Sequence, residues 1–208
     1  MSLSVKEKSH IRLMFLGAAG VGKTSLIRRF LLDTFETKYR RTVDELHIKE
    51  YNISGMKMQM DILDTSGSYD FPAMRKLSIK NSDAFALVYA VDDAVSFETV
   101  KSLRDEILEI KEDNKLIPVV VVGNKCDNKG ELQVSSKDIV STVEVEWNNK
   151  HIETSAKTNE NVAEIFSELL QQANLPSRLS PALRRRETFP KDNRAKPPMN
   201  KTNSCTIS

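Results

Sequence analysis

Eight consecutive residues near the start of the chain have the spacing of a phosphate-binding loop. The segment Gly17-Ala18-Ala19-Gly20-Val21-Gly22-Lys23-Thr24 fits the pattern G-x-x-x-x-G-K-[ST]. Glycines let the backbone curl until successive N–H groups point at phosphate oxygens, and a following helix adds its positive N-terminal end. Lys23 is the candidate contact for the β- and γ-phosphates, and the Thr24 hydroxyl is a hard oxygen ligand suited to Mg²⁺. The spacing therefore predicts a site for a nucleoside triphosphate.

A second polar segment indicates which base the site accepts. Asn124-Lys125-Cys126-Asp127 follows an apolar strand, and the Asp127 carboxylate can accept hydrogen bonds from both N1–H and the exocyclic amine of guanine. Adenine lacks that amine and has an acceptor at N1. Each charge-assisted bond contributes about 1.5–3 kcal/mol, so Asp127 favours guanine. Thr154-Ser155-Ala156-Lys157 can add a backbone N–H to the guanine oxygen. We therefore predict a GTP site, and Asp127 argues against the alternative of a P-loop kinase or ATPase.

Short apolar strands and amphipathic helices alternate along the chain and would position both segments. The expected elements are strands at 11–17, 85–91, 118–123 and 151–153, a hairpin within 44–64 that turns at 52–55, and helices after Gly22, around 100–110 and around 162–170. Continuous apolar runs are typical of central strands in a parallel sheet that is covered on both faces. Alternating strands and helices predict a three-layer α/β fold.

The composition excludes several classes of protein. Of 208 residues, 39% are apolar and 29% charged, which rules out a collagen-like or wholly disordered chain. The chain has no run of 18 apolar residues and no apolar stretch near its start, so we expect neither a transmembrane helix nor a signal peptide. With Ser2 in place of the glycine that N-myristoylation requires, we do not expect that modification. Two cysteines, Cys126 and Cys205, are too few for a disulfide scaffold and are consistent with a reducing compartment.

The last part of the chain differs in charge from the rest. Residues 177–208 contain eight basic and two acidic residues, so with a net charge of +2 overall the remainder is acidic. Five prolines lie from 176 onward, and the apolar periodicity ends there, which predicts disorder. We expect a short extension at 1–10, a GTP-binding domain at 11–176 and a disordered polybasic tail at 177–208. The tail has Phe189 as its one aromatic residue, which disfavours nucleic-acid binding.

Over residues 11–175 these motifs resemble the Ras superfamily, and most closely its Ras branch with the Di-Ras and Dexras/Rhes-like members. Asp64-Thr65-Ser66-Gly67-Ser68 is similar to the D-T-A-G-Q segment of that family. The resemblance implies a six-stranded, mostly parallel sheet of the P-loop NTPase G-domain type with helices on both faces. It also implies that Asp64 orients Mg²⁺ through water, that Thr42 binds Mg²⁺ in the GTP state, and that Gly67 contacts the γ-phosphate. Phe35 falls where an aromatic residue packs against guanine.

Together, motifs and resemblance give a set of nucleotide-binding residues. They are Gly17, Ala18, Ala19, Gly20, Val21, Gly22, Lys23, Thr24, Ser25, Phe35, Thr42, Asp64, Gly67, Asn124, Lys125, Asp127, Ser155, Ala156 and Lys157. Thr24, Thr42 and Asp64 are the expected Mg²⁺ residues.

The resemblance further implies a surface for effector proteins with Ras-binding-type domains, an exchange factor and a dedicated GTPase activator. The effector region is Tyr39, Arg40, Arg41, Thr42, Val43, Asp44 and Glu45. Asp44 and Glu45 could pair with basic effector domains that add a strand to the sheet. Arg40 and Arg41 replace an acid and a proline of typical Ras proteins, so the identity of the effector stays open.

Two departures from the family pattern concern hydrolysis, for which the implied residues are Ser68, Ala19, Lys23 and Gly67. Ser68 replaces the glutamine that orients the attacking water, and its side chain is two bonds too short to reach that water. Ala19 replaces a glycine near the space of an activator's arginine. We therefore predict slow intrinsic hydrolysis and a largely GTP-bound switch. Two alternatives stay open: a GTP-binding scaffold with negligible hydrolysis, and a dedicated activator of the kind used by Rap-type relatives, which also lack the glutamine.

The chain ends in Cys205-Thr206-Ile207-Ser208, which fits a C-a-a-X box for farnesylation of Cys205. One lipid chain binds membranes only marginally, so the basic tail is the expected second signal. We therefore expect attachment to anionic membrane at the cytoplasmic face of the plasma membrane.

Overall fold

The computed structural model describes residues 10–53, 56–67, 71–112, 116–128 and 136–176. Its strands are β1 (His10–Leu16), β2 (Glu45–Ile53), β3 (Met56–Asp64), β4 (Ala84–Ala90), β5 (Val119–Asn124) and β6 (Lys150–Glu153). Its helices are α1 (Lys23–Leu32), α2 (Pro72–Asn81), α3 (Ala94–Ile110), α4 (Ser136–Val140), which continues as a π-helix (Ser141–Glu146), and α5 (Val162–Gln172).

The strands form one six-stranded sheet in the order β2-β3-β1-β4-β5-β6. The β2–β3 pair is antiparallel, whereas the β1–β3, β1–β4, β4–β5 and β5–β6 pairs are parallel. The predicted six-stranded, mostly parallel sheet is therefore confirmed. The predicted hairpin corresponds to β2 and β3.

Two apolar cores lie on opposite faces of the sheet. On one face α1 and α5 pack against β1, β3 and β4, and the rings of Phe30 and Phe166 stack with centroids 3.6 Å apart. On the other face Ile79, Leu103 and Val143 bring α2, α3 and the π-helix onto β4 and β5. Strand β4 is buried along its whole length, as expected of a central strand covered by helices on both faces.

Helix α2 was not expected from the periodicity, and its exposure explains why. Only Ile79 of this helix is buried, whereas Met74 and Leu77 are 64% and 59% exposed. A helix that covers the sheet with one residue has no continuous apolar stripe for a sequence pattern to detect. Its start is nonetheless marked by Pro72, because proline is favoured in the first turn of a helix.

The topology gathers the predicted motifs at one edge of the sheet. Strands β1, β3, β5 and β6 are parallel, so the segments that follow Leu16, Asp64, Asn124 and Glu153 all leave from their carboxyl ends. In open α/β sheets this edge is where ligands bind. The expected tail at 177–208, Ser68 and the first nine residues of the expected extension at 1–10 lie outside the described residues. The last residue of that extension, His10, instead begins β1.

Candidate nucleotide-binding site

The phosphate loop runs from the end of β1 to the start of α1. Gly22 is the N-cap of α1 and has φ 100°, a left-handed conformation that favours glycine. Gly17 has φ +143°, and a Cβ there would meet the backbone carbonyl of Val88 on β4. The two glycines therefore set the curvature of the loop and its close approach to the sheet.

Lys23 lies folded back over this loop. Its ammonium donates hydrogen bonds to the carbonyl oxygens of Gly17 at 2.9 Å and Ala18 at 2.8 Å. Burial lowers the pKa of Lys23 to about 8, although the carboxylates of Asp64 and Asp44 act in the opposite direction. A cation held here, beside the N-terminal end of α1, provides the electrostatics that a phosphate group needs.

Thr24, Thr42 and Asp64 form an oxygen cluster beside the loop. The hydroxyls of Thr24 and Thr42 share a hydrogen bond of 2.8 Å. Asp64 is fully buried, and neither of its carboxylate oxygens accepts a hydrogen bond from a described residue. Burial is the main cause that raises the pKa of Asp64, and the charge of the Lys23 ammonium opposes that rise. A buried carboxylate without a partner, next to two hydroxyls, fits the hard oxygen ligands that Mg²⁺ prefers.

At the other end of the site, Asp127 is held in its charged form. Its carboxylate accepts a 2.6 Å hydrogen bond from the Ser155 hydroxyl and lies 3.5 Å from the Lys157 ammonium. The bond from Ser155 is the main reason that the pKa of Asp127 lies below its usual value. An oriented, charged carboxylate is what the guanine edge requires, because both of its hydrogen bonds come from donors.

Asn124 joins the phosphate loop to the two base loops, which are residues 124–127 and 154–157. Its side-chain amide donates to the Val21 carbonyl at 2.8 Å, and its side-chain oxygen accepts from the Ala156 N–H at 3.2 Å. The same oxygen accepts a longer bond of 3.4 Å from the Thr154 hydroxyl. Asn124 is buried, so one side chain fixes three loops relative to one another.

Two residues that support the site, Arg29 and Asp92, were not predicted from the sequence. Arg29 on α1 donates to the carbonyls of Ala156 at 2.9 Å and Lys157 at 3.0 Å, and so ties α1 to the base loop. Asp92, after β4, lies 3.2 Å from the Lys125 ammonium. Arg29 gives no sequence signal beyond its place on a helix, whereas an acid directly after a buried strand is a signal that could have singled out Asp92.

A cleft of about 740 Å³ connects the two ends. Of the residues predicted to bind nucleotide, it is lined by Gly20, Gly22, Lys23, Thr24, Ser25, Phe35, Thr42, Asn124, Lys125, Asp127, Ala156 and Lys157. Three more of the predicted residues lie behind the residues that line the cleft and contact them: Val21, Asp64 and Ser155. Phe35 is partly buried against the α1–α5 core and lines the cleft, and the packing of its ring on guanine stays a prediction.

The segment after β3 packs against the phosphate loop. The Thr65 hydroxyl donates to the Phe15 carbonyl at 2.7 Å. Gly67 has φ +66°, and a Cβ there would lie 2.6 Å from the Lys23 ammonium and 2.7 Å from the Ala19 nitrogen. The predicted γ-phosphate contact at Gly67 is therefore adjacent to both Lys23 and Ala19.

Comparisons with known proteins agree with this geometry. The family model described as Ras family matches residues 12–175. Human GTP-binding protein Rhes is 45% identical over 194 residues, which cover 89% of this chain and 73% of Rhes. GTP-binding protein Di-Ras2 of Macaca fascicularis is 39% identical over 165 residues, which cover 79% of this chain and 82% of Di-Ras2. The chain belongs to the Ras family of small GTPases.

Proposed function

We propose that this chain is a membrane-tethered signalling switch that binds GTP and GDP in the cleft and hydrolyses GTP slowly. The observation that carries the proposal is the arrangement of Lys23 and Asp127 at opposite ends of one cleft, with Asn124 bonded to the loops at both ends. This arrangement has a cation for phosphates at one end and a charged acceptor for guanine at the other.

Nucleotide competition on the full-length protein tests this proposal. Labelled GDP should be displaced by GTP and GDP but not by a hundredfold excess of ATP. Displacement by ATP as efficient as by GTP would instead indicate a P-loop kinase or ATPase.

Ras-family GTPases generally use Mg²⁺, and the oxygen cluster of this chain fits that ion. Thr24 and Thr42 would contact it directly and Asp64 through water. A bound Mg²⁺ would supply positive charge that neutralises the phosphates. The residues themselves position the nucleotide: Lys23 binds the phosphates and the backbone N–H of Gly67 contacts the γ-phosphate.

Slow hydrolysis is the expected consequence of Ser68 and Ala19. The backbone nitrogen of Ala19 lies next to Gly67, the residue that directly precedes Ser68 in the chain. An arginine finger accelerates related enzymes by about 10³–10⁵-fold, so partial obstruction of its route would leave the protein largely GTP-bound. A dedicated activator that supplies its own water-positioning side chain remains compatible with this proposal.

Effector proteins would bind along β2. In the described part of the chain β2 pairs with β3 alone, so its outer edge can accept an added strand. Tyr39, Val43, Leu46 and Ile48 are large exposed residues on and before this strand. They provide apolar contacts beside the charges of the effector region. An exchange factor would open the same cleft to release GDP.

Membrane attachment would use farnesylated Cys205 together with the basic tail. In the segments that the structure describes, no helix is long and apolar enough to cross a bilayer. The lipid and the positive charge of the tail would hold the protein at the cytoplasmic face of the plasma membrane.

Cell fractionation tests this attachment. Cys205→Ser should move the protein from the membrane pellet to the supernatant, and neutralising Arg184, Arg185 and Arg186 together should weaken attachment and increase its sensitivity to salt. Changing the same three arginines to lysine is the matched control and should leave attachment intact. A Cys205→Ser protein that still pellets with membranes would exclude prenylation as the anchor.

A further inference from the structure

We propose that Asp44 is a positioning residue that joins the two switch segments, here residues 39–45 and 64–67. The Oδ1 atom of Asp44 accepts a hydrogen bond of 2.7 Å from the backbone N–H of Ser66, 22 residues away in the chain. The donor is a main-chain group and the acceptor is an ionisable carboxylate, so the bond belongs to the stronger, charge-assisted class. It connects the segments directly, without any atom of a nucleotide.

Both neighbours of Ser66 in the second segment are held in place by contacts with the rest of the site. Thr65 is fixed to β1 by its bond to the Phe15 carbonyl at 2.7 Å. Gly67 lies so close to Lys23 and Ala19 that a Cβ would be within 2.7 Å of both. A bond to the N–H of Ser66 orients the peptide that leads from Thr65 to Gly67. Asp44 therefore helps to set the direction in which the Gly67 N–H points.

The first segment is anchored in the same way. Two residues before Asp44, the Thr42 hydroxyl is bonded to the Thr24 hydroxyl of α1 at 2.8 Å. The contacts form a ring that runs from Thr24 through Thr42 and Asp44 to Ser66 and back to the phosphate loop through Gly67. Because each member constrains the next, we expect the two segments to close and open together rather than independently.

This role separates Asp44 from its neighbour Glu45. Asp44 directly precedes β2 and Glu45 is the first residue of that strand, and it is the Asp44 carboxylate that accepts the bond from the Ser66 N–H. Both acids are exposed, but Asp44 is bonded to the second segment, whereas Glu45 has His47 as a neighbour at 3.8 Å. Glu45 is thus the acid of the pair that stays available to an effector, and Glu45→Ala is a matched control for Asp44→Ala.

The inference rests on the proposed function only in its second readout, which concerns the γ-phosphate. The test uses the full-length wild type, Asp44→Ala, Asp44→Asn and Glu45→Ala, each with Mg²⁺ and either GDP or a non-hydrolysable GTP analogue. Residue-resolved amide exchange by NMR measures the Ser66 and Thr42 N–H groups, and nucleotide dissociation rates are measured in parallel.

In the GTP-analogue form, Asp44→Ala should accelerate exchange of the Ser66 N–H by roughly tenfold to a hundredfold, the scale of one charge-assisted bond. Exchange at Thr42 should rise as well, because the ring is broken. Asp44→Asn should show a smaller effect on Ser66 exchange, since its side-chain oxygen still accepts, and Ser66 exchange in Glu45→Ala should match the wild type. Dissociation of the GTP analogue should accelerate in Asp44→Ala while that of GDP stays unchanged.

Equal Ser66 exchange in Asp44→Ala and Glu45→Ala would overturn the inference, as would a change at Ser66 that leaves Thr42 unaffected. If the wild type binds neither nucleotide, the proposed function fails instead. In that case Ser66 and Thr42 exchange is compared between Asp44→Ala and Glu45→Ala without nucleotide. This comparison alone then tests the role of Asp44.

Discussion

At the base end of the cleft, the side chains predicted to read the base are fixed by hydrogen bonds to one another and to the backbone, whereas at the phosphate end the two buried charged residues, Lys23 and Asp64, are not fixed in this way. Asp127 is bonded to Ser155 at 2.6 Å, and Asn124 and Arg29 each bond to the backbone of the base loop. By contrast, the buried oxygens of Asp64 have no hydrogen-bond partner among the described residues, and Lys23 donates to the carbonyls of its own loop.

This difference indicates two kinds of binding site within one cleft. The base end is preorganised, so binding there costs little rearrangement and the same base is selected whatever phosphates follow it. The phosphate end contains unpaired charge and the exposed residues of the first switch segment, including Val43 at 83% exposure. Unpaired and exposed groups gain the most interaction free energy when a ligand binds. We therefore expect the protein to distinguish GTP from GDP at this end.

The largest expected effect comes from removing the guanine acceptor at the base end. Asp127→Asn should lower GTP affinity by roughly 100-fold or more, because two charge-assisted bonds are lost. It should also gain affinity for xanthosine triphosphate, since an amide can donate to the extra carbonyl of xanthine. Competition binding measures the affinities for GTP and for xanthosine triphosphate. Glu98→Gln on the exposed surface of α3 is the control. Unchanged GTP affinity without any gain for xanthosine triphosphate would remove Asp127 from the base site.

A second substitution tests whether the base end acts as one unit. Asn124→Ala should destabilise the protein by about 2–4 kcal/mol, because the Val21 carbonyl and the Ala156 N–H lose their buried partner. GDP and GTP affinities should fall by the same factor. Urea unfolding and nucleotide titration provide the measurements, and Asn149→Ala is a control outside the cleft. A selective loss of GTP binding would show instead that Asn124 belongs to the switching end.

The third prediction concerns hydrolysis at the phosphate end. Single-turnover hydrolysis by the unmodified protein should be slower than in typical Ras proteins, and Ser68→Gln should accelerate it by up to about a hundredfold, the scale of correctly positioning a reacting group. Adding Ala19→Gly should increase the response to Ras-type activators. Fast hydrolysis by the unmodified protein without an activator would mean that another residue orients the water.

The smallest effect is a pH dependence of stability that originates near the base end. His151 on β6 is buried and shares a 2.9 Å hydrogen bond with the Tyr89 hydroxyl, and burial is the main cause that lowers its pKa below 6.5. At acidic pH the unfolded chain then binds more protons than the folded one. The stabilisation that depends on neutral His151 is therefore fully present above pH 6.5 and is lost as the pH falls through the lowered pKa.

Urea unfolding at pH 7.5 and pH 5.5 measures this dependence. The wild type should lose more stability between the two pH values than His151→Phe, which has no imidazole to protonate. The same loss in both proteins would assign the dependence to other groups.

The parts of this molecule that sequence predicted are those encoded by residues close together in the chain. The phosphate loop lies within Gly17–Thr24, and a continuous apolar run marks each of the central strands β4 and β5. The parts that sequence missed depend on long-range contacts: Arg29 meets Ala156 across 127 positions, and Asn124 meets Val21 across 103. Asp44 was assigned to effectors because its neighbour in space, Ser66, is not its neighbour in sequence.

The comparison of the two ends is tested most directly by amide exchange across the cleft in the GDP form and in the form with Mg²⁺ and a non-hydrolysable GTP analogue. Exchange within residues 39–45 and 64–67 should slow by about tenfold or more with the analogue, whereas residues 124–127 and 154–157 should be equally protected in both forms. Equal exchange in both forms at both ends would mean that the protein binds guanine nucleotide as a scaffold without acting as a switch.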